Sequence, residues 1–199
     1  RFKVYNGATA TITENKINNL VFNDESVVES TFENNILSTE AQAVLNAAKF
    51  AVAKIGETSY ETLAAAVAAA ESGATITLLN GEHELPLFAG KELTFVGESK
   101  EGVIVNDAPA AVTQGWNGST FHFENLTAKG ANANYHGLAN GVKAVTYKNC
   151  NINGLRFLYA TEGVSFEGCA FNAEGVEHSF WTYGASDVTV KNSTFTYTD

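Results

Sequence analysis

The chain has 199 residues but no methionine, only two prolines, two cysteines and two tryptophans, and 12 Lys and Arg against 22 Asp and Glu. Each scarcity excludes something. The net charge of −10 argues against nucleic acid as a partner, because phosphate binding needs a basic footprint. It argues equally against anionic membrane surfaces. No apolar run approaches the ~20 residues that span a bilayer, so no membrane insertion is expected. The opening "RFKVYNG" carries neither an initiating methionine nor a signal-peptide pattern, and reads as a mature or excised piece of something longer. What is present is 45% apolar residues, 17 glycines and many asparagines. That allows a real core and leans towards a β-rich, turn-rich extracellular protein.

The chain also repeats itself, which decides the architecture before any single motif does. "LTFVGESK" (93–100), "FHFENLTA" (121–128), "VTYKNCNI" (145–152), "VSFEGCAF" (164–171) and "VTVKNSTF" (188–195) share one pattern, with "ITLLNGEH" (76–83) as a looser copy. Their third positions are Leu78, Phe95, Phe123, Tyr147, Phe166 and Val190, in steps of 17, 28, 24, 19 and 24 residues. Two positions later stands a hinge: Asn80, Gly97, Asn125, Asn149, Gly168 or Asn192. Apolar residues two apart share one face of a strand. Asn and Gly tolerate the left-handed conformation, so they let the chain bend between two strands. A strand, a bend, a strand and a loose return make one coil of a solenoid. Parallel stacking at ~4.8 Å then places Phe123, Tyr147 and Phe166 in one inward ladder, and Ile152, Phe171 and Phe195 in another. An antiparallel sandwich predicts hairpin turns every 8–12 residues instead. The expected fold is therefore an all-β solenoid, a right-handed parallel β-helix with an N-terminal α-helical cap.

Two capping boxes announce helices. Thr58–Glu61 precedes "TLAAAVAAAES", with Gly73 as its stop, and Thr39–Gln42 opens "AVLNAAKF". The Ala-rich helix is a natural lid for the first coil, which would otherwise expose unpaired strands. "AVAKIG" (51–56) fits either a helical continuation or a strand. "ITENKI" (12–17) and "VVESTF" (27–32) resemble the second half of the repeat. Two segments follow: residues 1–50, a strand-plus-helix region that could supply extra coils or an assembly arm, and 51–199, a capped β-helix cut short within a repeat phrase.

Residues 52–85, "GKELTFVGES" and the "VTYKNC" phrases together resemble right-handed parallel β-helix modules of the pectate-lyase-like superfamily. The versions they look most like occur in large secreted or wall-attached proteins of Gram-positive gut bacteria. The resemblance covers 52–199 and implies the fold and an extracellular place. It leaves function open, since the superfamily hosts lyases, glycosidases, tailspikes and adhesins.

Lyases of this shape use clustered carboxylates for calcium and an Arg or Lys as base. Here the only arginines are Arg1 and Arg156, and the four aspartates, Asp24, Asp107, Asp187 and Asp199, form no Asp-x-Asp pair. The polygalacturonase-type signatures are absent. Glu162, Glu167, Glu174 and Glu177 read as a solvated acidic face, although glycosidases do need a carboxylate pair. Of the four histidines, His83, His122, His136 and His178, none shows metal-binding spacing, and His122 should point outward between Phe121 and Phe123. No metal and no cofactor are expected.

Cys150 and Cys169 occupy the same hinge-plus-one position of consecutive coils, a stacking close enough for a disulfide. A buried thiol ladder continued by Ser193 is the alternative. Aromatics concentrate in "YHGLAN" (135–140), "RFLYAT" (156–161) and "HSFWTYG" (178–184), each preceding a coil phrase. Alignment on those phrases groups Leu138 with Phe157 and Trp181, and Asn140 with Tyr159 and Tyr183. An outward row would give sugar rings a platform of Trp116, Tyr159, Trp181 and Tyr183, edged by His136, Arg156 and His178. Core packing of Leu138, Phe157 and Trp181 is the competing assignment.

The residues thus favour a surface-exposed structural or adhesive module over an enzyme, with a glycan or a host or cell-surface protein as partner. A carbohydrate-active enzyme, lyase or glycoside hydrolase, is the alternative. Head-to-tail self-association into filaments is a third outcome, suggested by coil-like pieces near both ends.

Overall fold

The computed structural model describes residues 11–18, 31–107, 116–129, 137–138, 142–154, 156–158, 162–173, 180–182 and 187–197. For 31–32, 47–49, 137–138, 156–158 and 180–181 it describes the backbone alone. The chain is an all-β parallel solenoid of about 5 turns with two short helices.

The first half of each repeat phrase forms one strand of a continuous sheet. In order these are Ala74–Leu78, Glu92–Gly97, Thr120–Glu124, Ala144–Lys148, Gly163–Glu167 and Val188–Lys191, all parallel. The second halves build a parallel second sheet of Gly81–Glu84, Val103–Asn106, Thr127–Lys129, Asn151–Asn153, Ala170–Asn172 and Thr194–Thr196. Strict alternation puts every second side chain inside. Phe123, Tyr147 and Phe166 stand opposite one another, as do Ile152, Phe171 and Phe195. Their rings stack with centroids 5.5 Å apart from Phe95 to Phe123, 5.1 Å from Phe123 to Tyr147 and 5.0 Å from Tyr147 to Phe166. Those spacings follow the ~4.8 Å rung distance, so backbone pairing and aromatic stacking reinforce each other.

The hinges are left-handed where Asn or Gly is expected: φ is 53° at Asn125, 51° at Asn149, 63° at Gly168 and 52° at Asn192. The asparagines also bond along the axis. Asn149 Nδ2 donates to Asn125 Oδ1 (3.0 Å), and Asn125 Nδ2 donates to the Gly97 carbonyl (2.8 Å). Gly97 serves differently. A Cβ there would lie 2.2 Å from the Asn125 carbonyl oxygen, so the glycine is needed for close approach of the next rung. The first coil departs from the repeat alignment: Ile76, not Leu78, stands opposite Phe95, and the left-handed residue is Gly81 (φ 144°), not Asn80. Its corner is longer, held by the Asn80 N–H donating to Glu98 Oε2 at 3.1 Å.

Residues 51–56 resolve as a strand, Ala53–Ile55, antiparallel to both Thr58–Tyr60 and Ala74–Leu78. Helix α1 (Thr39–Lys49) begins one residue earlier, and helix α2 (Leu63–Ala69) four residues later, than their motifs suggest. Ser38 rather than Thr39 caps α1, accepting from the Ala41 N–H at 3.1 Å, and Thr62 rather than Thr58 caps α2, accepting from Ala65 at 3.1 Å. Thr58 is taken by the strand, where its backbone bonds are satisfied by pairing. α2 buries Leu63, Ala66, Val67 and Ala70 in the same core as the ladders. Its C-terminal end, which Gly73 does not terminate, is held by Lys91, whose Nζ donates to the carbonyls of Val67 (3.0 Å), Ala68 (3.4 Å) and Ala70 (2.7 Å).

Residues 11–18 and 31–38 form two further stacked rungs. Thr11–Thr13 pairs in parallel with Thr31–Glu33, and Lys16–Ile17 with Ile36–Leu37. Glu14 (φ 57°) and Asn34 (φ 56°) are their left-handed hinges. "STF" therefore precedes a hinge at 30–32 and follows one at 193–195, so the earlier copy belongs to the first half of the pattern rather than the second.

Candidate functional site

The interior leaves its chemistry to the outer faces. Along the first sheet, the position three before the hinge carries Thr94, His122, Thr146, Ser165 and Thr189, aligned strand to strand. His122 points outward, as its place between Phe121 and Phe123 requires. Its Nδ1 lies 2.8 Å from Thr146 Oγ1 and its Nε2 3.1 Å from Glu92 Oε1. A hydroxyl, an imidazole and a carboxylate thus meet on three neighbouring strands. The backbone N–H groups around them are engaged in the sheet, so what this trio offers is a polar contact surface rather than a preformed anion hole. The position just before the hinge alternates in sign: Glu124, Lys148, Glu167 and Lys191 stand opposite one another in turn. Opposite charges directly across strands stabilise the pairing by roughly 0.2–1 kcal/mol each. Nearby, Lys143 Nζ pairs with Glu162 Oε1 at 3.5 Å. The outer row of the second sheet brings Asn106, Lys129, Asn153 and Asn172 together.

Among the described residues four polar side chains are buried, His83, Asp107, Ser119 and Thr127. The Tyr147 hydroxyl donates to Asp107 Oδ2 at 2.5 Å, and the His83 ring nitrogen Nε2 lies 2.7 Å from the Leu79 carbonyl. The Tyr147–Asp107 pairing could not be foreseen from repeat alignment, because Asp107 lies outside the aligned phrases.

The predicted site residues fall into three groups. Trp116 is corrected: only 1% exposed, it packs edge-on to Phe121 and donates Nε1–H to the Pro86 carbonyl at 3.0 Å. An indole satisfied this way belongs to the core and cannot join an outward platform. Arg156 and Trp181 lie on short strands, Arg156–Leu158 and Phe180–Thr182, which with Gly137–Leu138 form a third parallel sheet. The "loose return" of the coils is thus partly strand. Phe157 does stand opposite Trp181, but Leu138 stands opposite Leu158, one residue off the expected row. His136, Tyr159, His178 and Tyr183 lie outside the described residues.

Cys150 and Cys169 are free, buried thiols in the hinge-plus-one row, so the disulfide alternative is not the state of this structure. The hydrogen bond they share and burial push the Cys150 thiol up, while the bond from Cys150 holds Cys169 down at about 7. Cys150 Sγ lies 3.4 Å from the Phe123 carbonyl and 3.3 Å from that of Lys148; Cys169 Sγ lies 3.4 Å from Tyr147 and 3.6 Å from Glu167. Ser193 repeats the local bond, its Oγ donating to the Lys191 carbonyl at 2.9 Å. One row thus serves one purpose: a short polar or sulfur side chain ties the bend to the end of its own strand.

Among the described residues, no three His, Cys, Asp or Glu side chains are grouped to hold a metal ion, and no helix is long and apolar enough to cross a membrane. No family model, curated protein or solved structure matches the chain.

Proposed function

We propose that the chain is a structural and adhesive β-helix module of an extracellular surface, making shallow, repeated contacts with glycan or protein along its outer faces. One observation carries this. The axis is filled by stacked Phe95, Phe123, Tyr147 and Phe166, so the groups left for a partner are straight outer rows of hydroxyl, amide and charge. Rows repeating at ~4.8 Å suit multivalent, individually weak contacts, whose affinities multiply when several engage together. The resemblance to right-handed modules of the pectate-lyase-like superfamily supports the extracellular assignment. The apolar stripe of α2, buried against the first coil, supports its role as an N-terminal cap.

The test is a glycan array probed with the wild-type chain and with Trp181→Ala and Tyr183→Ala. Capture of defined glycans, weakened in these variants, supports adhesion through the aromatics at 181 and 183. No capture by the wild type removes glycan as the partner and leaves protein contacts or a spacer.

A further inference from the structure

His122 interrupts a row of hydroxyls on the outer face of the first sheet. Thr94, Thr146, Ser165 and Thr189 occupy the same position on the neighbouring strands. The register sets Thr94 on one side of His122 and Thr146 on the other. The ring engages Thr146, with Nδ1 2.8 Å from Oγ1. Its second nitrogen, Nε2, lies 3.1 Å from Glu92 Oε1. Ser165, one rung beyond Thr146 and half-buried like it, has Thr146 and Thr189 as its neighbours in the row.

These two contacts assign the protons of the ring. An ionised carboxylate can only accept, so Nε2 carries the hydrogen and donates it to Glu92. A neutral imidazole has one N–H, which leaves the Nδ1 lone pair facing Thr146. The Thr146 hydroxyl therefore donates to Nδ1. A hydroxyl aimed at a base, whose far side is held by a third group, is the arrangement that activates an oxygen nucleophile. The trio also meets solvent, since the His122 and Glu92 side chains are 28% and 59% exposed.

We propose that Thr146 is a nucleophilic acyl acceptor, a modification site whose substrates are activated acyl esters. His122 is its base, and Glu92 positions the ring. As Oγ1 attacks the acyl carbonyl, the hydroxyl proton passes to Nδ1 and a new carbon–oxygen bond forms. The bond to the leaving oxygen then breaks, its electron pair stays on that oxygen, and His122 returns the proton to it. The products are O-acyl-Thr146 and a free alcohol. The donor needs a good leaving group, because the sheet supplies no preformed anion hole for the tetrahedral intermediate. The same lack slows hydrolysis of the new ester, so the chemistry ends in a modified residue rather than in rapid turnover.

Treatment of the full chain with p-nitrophenyl acetate tests this, with peptide mass spectrometry locating the acetyl groups that hydroxylamine removes. Hydroxylamine cleaves esters and leaves acetylated lysines intact. Thr146 is expected to carry about 100-fold more ester label than Ser165, the lower range for a positioned base. His122→Gln should bring the Thr146 label down to the Ser165 level. Thr146→Val should lower nitrophenol release by the amount of the lost label. Glu92→Gln should reduce the label, and nitrogen NMR should show its His122 ring no longer confined to the Nε2–H form seen in the wild type. The three positions lie on the outer face, so the variants should fold, which circular dichroism checks. A Thr146 label no higher than that of Ser165, or one that survives in His122→Gln, overturns the proposal. So does nitrophenol release unchanged in Thr146→Val, or a Glu92→Gln variant with both label and ring form unaltered.

Discussion

Tyr147 donates its hydroxyl to Asp107 inside the solenoid, where both side chains are almost fully buried. Tyr147 stands in the stack between Phe123 and Phe166, and is the one member of that ladder with a hydroxyl. The aromatic ladder thereby also solves a polar problem, since a buried carboxylate without its donor is costly.

Tyr147→Phe keeps the stack and removes that donor. It should cost about 1–3 kcal/mol, the desolvation penalty of a group that loses a buried bond. Urea unfolding of the two proteins measures it; an unchanged midpoint would show that other partners carry Asp107.

The hinge rows predict an ordered series. Asn149→Ala forces an ordinary residue into the left-handed region at about 1–2 kcal/mol, and Asn149→Gly should cost less. Gly97→Ala should be the worst of the three, because its Cβ would meet the Asn125 carbonyl at 2.2 Å. Thermal melts rank them, and a mild Gly97→Ala would mean the rungs separate easily.

Lys91 ties the last turn of α2 to the solenoid. Lys91→Met keeps the stem and removes the ammonium, and should loosen α2 by about 0.3–2 kcal/mol, the range for a cation at a helix C-terminus. Hydrogen exchange should rise at Val67–Ala70 before it rises in the ladder strands. Uniform change across the chain would place the effect elsewhere.

The thiol pair gives a pH signature. Cys169 is lowered from an ordinary 9.0 to about 7 by the hydrogen bond from Cys150. A lowered value contributes stability present above the ordinary range and lost as pH falls through about 7. Cys150 is raised, so its contribution is present below the ordinary range and lost as pH climbs beyond it. Stability should therefore rise with pH between about 7 and 9.0. Ultraviolet titration should show one thiolate forming near the lower value, absent in Cys169→Ser and moved upward in Cys150→Ala. A Cys169→Ser variant with an unchanged titration contradicts the assignment.

How much of this could be read from the letters varies along the chain. Phe123, Tyr147 and Phe166 were legible as a ladder because strand alternation and a fixed hinge leave them no other face. The corner after Leu78 was not, because the positive φ there falls on Gly81 and the corner is held by the Asn80 N–H donating to Glu98, a residue of the next rung. Trp116 looked available for sugar stacking because periodicity says nothing about an isolated aromatic outside a repeat. Its burial depends on Pro86, thirty residues away. Leu138 slipped one place because the third sheet follows its own pairing and not the spacing of the phrases. The outward trio of Glu92, His122 and Thr146 was half legible: alternation placed His122 outside, but its neighbours needed the strand register.

The central claim is that the phrases stack as successive parallel rungs, and pulsed electron paramagnetic resonance tests it most directly. Thr75 and the outer-row positions Thr146, Ser165 and Thr189 share one aligned row, three, four and five rungs apart. Spin labels pairing residue 75 with each should report backbone separations growing evenly, at about 14, 19 and 24 Å. Distances that fail to increase in that order, as an antiparallel sandwich would give, contradict the solenoid and the rows built on it.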